Sequence, residues 1–83
     1  MKVLAFVEIW HPPYNVHFET VKEEAESEEN AKEQFEELSK VISNMSSDSH
    51  NIVLETTSGD MIFTRKFLSE AILRLRVVES GEM

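Results

Sequence analysis

The stretch ETVKEEAESEENAKEQFEEL, residues 19–38, holds nine of the chain's sixteen acidic residues and only two lysines. Carboxylates at that density attract cations and cationic surfaces over several ångströms, with no cofactor or nucleophile needed. Glu19, Glu23, Glu24, Glu26, Glu29, Glu33, Glu36 and Glu37 are therefore the candidate partner-binding residues. Other chemistry has little to work with. The chain has no cysteine, which removes disulfides, thiolate metal sites and thiol nucleophiles together. Thr56-Thr57-Ser58-Gly59-Asp60 offers hydroxyls and a carboxylate but no histidine at a predictable distance, so it reads as a hairpin turn. His11, His17 and His50 are few and dispersed. Closure of a first hairpin would bring two of them together beside Glu8 or Glu19, yet ordinary surface histidines without a metal are the expectation. There is no phosphate-binding glycine loop and no nucleic-acid motif. No catalytic, cofactor or metal residue is assigned, and the chain reads as non-enzymatic.

A formal charge of -8 on 9.6 kDa repels nucleic acid and anionic membranes and draws in basic partners. The charge is uneven. Residues 19–37 carry nine glutamates against Lys22 and Lys32, a net of -7, while residues 61–78 carry Arg65, Lys66, Arg74 and Arg76 against Glu70, a net of +3. Arg74 and Arg76 are expected to pair with Glu55 or Glu79 across a sheet. No segment approaches the roughly 18 apolar residues of a membrane helix. The N-terminal apolar run reads as a strand and not a signal peptide, so a cytoplasmic protein is expected.

The elements that must carry these residues follow from periodicity. Lys2 to Trp10 alternates Val3, Ala5, Val7, Ile9 with Leu4, Phe6, Glu8, Trp10, giving a strand apolar on both faces. His11-Pro12-Pro13-Tyr14 breaks it. Asn15 to Lys22 alternates again and completes a hairpin. Trp10 and Tyr14 bracket the turn and are expected to cap one end of the core. Ser27 opens a helix, with Glu28 and Glu29 at its positive end. Ala31, Phe35, Leu38, Ile42 and Met45 form its apolar stripe, and residues 46–51 end it in a loop. Asn51 to Thr57 and Asp60 to Thr64 flank a Ser58-Gly59 turn. Arg65 to Ala71 allows one helical turn, and Ile72 to Glu79 alternates as a last strand. The expected fold is α+β in β-β-α-β-β-β order: one domain over residues 1–79, a mostly antiparallel sheet, one main helix and a loose tail at 80–83.

On that helix the face opposite the stripe holds Glu29, Glu33, Glu36, Glu37 and Lys40. Glu28 with Lys32 and Glu36 with Lys40 are favourable pairs four residues apart, and Glu29 with Glu33 and Glu33 with Glu37 are unfavourable ones. At about 0.2–0.5 kcal/mol each they nearly cancel, so folding does not require this pattern. Carboxylates one turn apart lie about 6 Å apart along the axis, a spacing comparable to that of successive DNA phosphates. With the short length, the absence of cysteine and the MKV start, the Glu-rich 19–38 segment resembles the small acidic proteins with which lytic phages of Gram-positive bacteria take over host functions. Several of those are DNA mimics, and one class fills the DNA-binding cleft of the histone-like nucleoid protein HU. The resemblance implies an inhibitor that acts in the host cytoplasm on a basic DNA-binding protein. The strip of Arg65, Lys66, Arg74 and Arg76 departs from a uniformly anionic mimic. The alternative is a small homodimeric accessory domain whose acidity serves solubility only. Either way Leu4, Phe6 and Trp10 form a second apolar face that one helix cannot cover, so they are expected to join two copies of the chain.

Overall fold

A computed structural model describes residues 2–44 and 51–79. Met45, His50 and the expected tail at 80–83 lie outside them. The elements are β1 (Val3–His11), β2 (Val16–Glu19), β3 (Glu23–Ala25), α1 (Glu28–Ser43), β4 (Asn51–Thr56), β5 (Gly59–Thr64), α2 (Arg65–Ser69) and β6 (Ile72–Glu79). This is the expected α+β order, with every strand pair antiparallel. The second expected strand, Asn15 to Lys22, ends early at Glu19 as β2, and β3 follows beyond its expected end as a strand the periodicity did not show.

β1 is the spine. β6 lies along one edge from Val3↔Glu79 to Trp10↔Ile72, and β2 and β3 share the other edge. Between the pairs Glu8↔Glu19 and Ala5↔Glu23, three residues (Thr20, Val21, Lys22) stand opposite two (Phe6, Val7), which is a β-bulge. Thr20 stabilises it, because its Oγ1 accepts the Val7 amide at 2.8 Å while its own amide donates to the Val7 carbonyl at 2.9 Å. The bend turns the outer edge of this strand toward the β4–β5 hairpin. The Val21 amide donates to the Glu55 carbonyl and the Thr57 amide to the Glu19 carbonyl.

The hairpin loop is Thr57-Ser58, one residue earlier than expected, with Thr56↔Gly59 as the closing pair. Gly59 has φ +110, so glycine is required there for its backbone and not for space, since a Cβ would meet nothing within 4 Å. The buried Thr56 hydroxyl donates to the Gly59 carbonyl and accepts the Ser58 amide.

Helix α1 is capped as the sequence requires. Ser27 Oγ accepts the Asn30 amide, and Asn30 Oδ1 accepts the amide of Glu26, one residue before the cap, a shifted form of the capping box. The helix lies on the side of the sheet marked by Val3, Ala5, Val7 and Ile9. The interior is divided in two. Val3, Ala25 and Ala31 form one buried cluster with Ala5, Leu75 and Val77 against it. Ile9, Phe63 and Leu68 form another, joined by Val7, Phe18, Ile42 and the hairpin's Ile52, Leu54 and Met61. Among the described residues of the expected helical stripe only Ala31 is fully buried; Phe35 and Leu38 are half-buried between the clusters.

Candidate functional site

The acidic residues belong to two surfaces. Glu29, Glu33, Glu36 and Glu37 project from α1 into solvent, with Glu28 at its start and Glu26 just before it. Glu23 pairs with Ala5 and stands on the helix side of the sheet. Glu24 pairs with Leu4 and Glu19 with Glu8, which puts both on the opposite face, because cross-strand partners share a side. Six of the eight candidate residues are thus brought together around α1, and Glu19 and Glu24 are not. Glu24 is also engaged, 3.6 Å from Lys2 Nζ.

Among the described residues, no carboxylate of α1 enters an ion pair. Lys32 and Lys40 stand on the same helix, but neither Glu28 with Lys32 nor Glu36 with Lys40 closes to 4.0 Å. On this helix of 16 residues, about 24 Å of rise, Glu29, Glu33, Glu36 and Glu37 form a ridge with no ion-pair partner among the described residues.

The far face of the sheet has a different character. Leu4, Phe6 and Trp10 lie on it together, as expected, and the registers Leu4↔Val78 and Trp10↔Ile72 add two more apolar side chains. Trp10, Ile72 and Val78 are exposed. In their midst Glu8 accepts from Arg74 Nε at 2.9 Å, with Arg76 Nη1 at 3.5 Å from its other oxygen. The arginines therefore pair with Glu8 and not with Glu55, which lies in the other sheet. The signal was present in the sequence: Glu8, Arg74 and Arg76 fall on the same side of their alternating strands. Lys22 covers the Phe6 ring, 5.9 Å from its centroid. Ligand atoms of Glu8, His17 and Glu19 lie within 4.8 Å of one another. Both Glu8 oxygens already face guanidinium groups, which opposes a cation there.

The Arg74 hydrogen bond holds the Glu8 carboxyl below the usual glutamate range, against burial that pushes it up; the charges of Arg74, Arg76 and His17 add to the lowering. The folded chain binds this proton more weakly than the unfolded chain does. Its stabilising contribution is therefore complete above the ordinary glutamate range and is lost as pH falls through the lowered value. Urea titrations from about pH 6 to about pH 3 should show wild type losing stability more steeply than Glu8→Gln over the acid end. Parallel acid limbs would count against the pairing.

His11 corrects the expectation of surface histidines. It is 1% exposed, with Nε2 3.2 Å from Glu70 Oε1, and its ring stacks between Phe67 at 4.1 Å and Tyr14 at 5.1 Å. Tyr14 is folded back by a turn in which Asn15 adopts φ 53. Tyr14 covers the His11 ring but is itself largely exposed, and Trp10 belongs to the open sheet face, so neither aromatic is a buried cap on the core.

A cleft of about 560 Å³ separates α1 from the β4–β5 hairpin, floored by Ala5, Val7 and Leu75 of the sheet. Among the described residues, no helix is long and apolar enough to cross a membrane. Compared with protein-family models, curated proteins and solved structures, the chain matches none.

Proposed function

We propose that this chain is a non-enzymatic binding protein whose acidic helix occupies the basic nucleic-acid-binding surface of a partner protein and so blocks it. The observation that carries this reading is the ridge itself: Glu29, Glu33, Glu36 and Glu37 are exposed on one face of α1, and among the described residues none enters an ion pair. Such a ridge steers a cationic surface toward it, and the attraction fades with ionic strength as the Debye length contracts. A histone-like nucleoid protein of the HU type is the partner class the overall resemblance suggests. The test is competition. Added to a fluorescent duplex bound by an HU-type protein, the chain should displace the DNA at about 50 mM salt and lose potency toward about 500 mM. A DNA complex undisturbed at low salt and micromolar chain would overturn the proposal.

A second copy of the chain is the proposed occupant of the far sheet face. Around Leu4, Phe6, Trp10, Ile72 and Val78 stand four cations (Lys2, Lys22, Arg74, Arg76) and three carboxylates (Glu8, Glu19, Glu24), so this face is nearly neutral on a chain of charge -8. Joining copies here keeps the two acidic helices on the outside, where they repel least. Light scattering should return about twice the 9.6 kDa chain mass, and Phe6→Glu should halve it by placing an unpaired charge in the contact. A wild-type mass of one chain would refute the dimer.

A further inference from the structure

We propose that the cleft between α1 and the β4–β5 hairpin is a peptide site that takes a large apolar side chain carried on a lysine- and arginine-rich segment. This rests on the reading of the chain as a partner of basic proteins, and it names what such a partner must present. The cleft's 560 Å³ lies within the range of sites that enclose ligands. Phe35 and Leu38 of α1 form one wall and Leu54 of β4 is on the other. Ala31 is buried in one core cluster and Ile42 packs against the second, so Phe35 and Leu38 span the gap between them. An apolar group seated there would join two clusters that the chain leaves apart.

Charge then selects the occupant. Glu23, Glu55 and Asp60 line the same cleft, and among the described residues no lysine or arginine does. Anionic ligands are repelled, and a neutral apolar ligand leaves three carboxylates without partners. A single amine would satisfy only part of this field, whereas a polypeptide can place several cations along both the cleft and the ridge on the same helix. The segment that fits is an apolar anchor flanked by basic residues on both sides.

The experiment uses the full chain and three probes in calorimetric titrations: the blocked peptide Lys-Arg-Leu-Phe-Arg-Lys, the same peptide with alanine at both apolar positions, and phenethylamine. Burial of the anchor should make the first peptide bind at least about tenfold tighter than the second. Leu38→Lys should remove that preference. A double variant, Glu55→Gln with Asp60→Asn, should weaken both peptides and keep the fold if the leucine change does not. Equal affinity for the two peptides, or binding of neither, overturns the site. Phenethylamine binding tighter than both peptides overturns the peptide assignment. The ridge reading fails separately, as an absence of DNA displacement while the peptide preference persists.

Discussion

Replacing Glu29, Glu33, Glu36 and Glu37 together by glutamine is expected to abolish competition with DNA at working concentrations while leaving the fold intact. All four side chains are exposed and, among the described residues, none holds an ion pair, so the change breaks no ion pair there. Glutamine is as good a helix former as glutamate. The change removes the like-charge pairs Glu29 with Glu33 and Glu33 with Glu37, and with them any weak help from Lys40 to Glu36. Stability should therefore stay within about 0.5 kcal/mol of wild type. Binding should respond much more. Four partly exposed ion pairs at about 0.2–1 kcal/mol each sum to roughly 1–4 kcal/mol, or up to about a thousandfold in affinity. Most of the early loss should fall on the association rate, because long-range attraction has been removed. Thermal denaturation and the displacement assay, run on the same preparation, separate the two effects. A quadruple variant that competes as well as wild type would reduce the glutamates to solvation.

Phe63→Ala is expected to cost about 3–5 kcal/mol, a large share of the roughly 5–15 kcal/mol available to a domain. Phe63 is buried with Ile9 and Leu68 and meets Phe18 edge-on at 5.7 Å and Phe67 at 5.6 Å. Those neighbours belong to three different elements, β1, β2 and α2, so the vacated space cannot collapse through one local shift. Phe35→Ala offers the contrast. Its ring is half-buried on the wall of the cleft, where truncation widens an opening that already exists. Urea midpoints should fall far more for Phe63→Ala than for Phe35→Ala. Equal losses would mean that the cleft is closed in solution.

That contrast also shows where periodicity stops being informative. The alternation of Val3, Ala5, Val7 and Ile9, the matching alternation in β6 and the four-and-three spacing of the helical stripe identified elements and facing sides. They cannot report how far a facing residue sinks, so Phe35 and Leu38 looked as central as Ala31. The bulge was not legible because Thr20 substitutes a side-chain oxygen for a ladder acceptor, and one threonine carries no pattern. His11 beside two prolines reads as surface. Its burial depends on Tyr14 returning over it and on Phe67 arriving from a helical turn more than fifty residues on. The acidic stretch reads as continuous in sequence, but neighbours along a strand are not neighbours in space. Glu23 and Glu24 are adjacent, yet the pleat sends them to opposite faces.

The long pairing of β1 with β6 governs how the chain must be made. Residue 72 leaves the ribosome 61 residues after residue 11, which at about 5–20 residues per second is a delay of roughly 3–12 s. Through that interval β1 has β2 and β3 on one edge and an open ladder on the other, with apolar side chains on both faces. Contacts this distant in sequence also close slowly once both partners exist. The nascent chain is thus most exposed to chaperones, and to pairing with a neighbour on the same message, just before its sheet can form. Glu8 waits through the same interval for Arg74 and Arg76, so its charge is left facing water among Phe6 and Trp10, where it discourages a second strand from settling on that face too early.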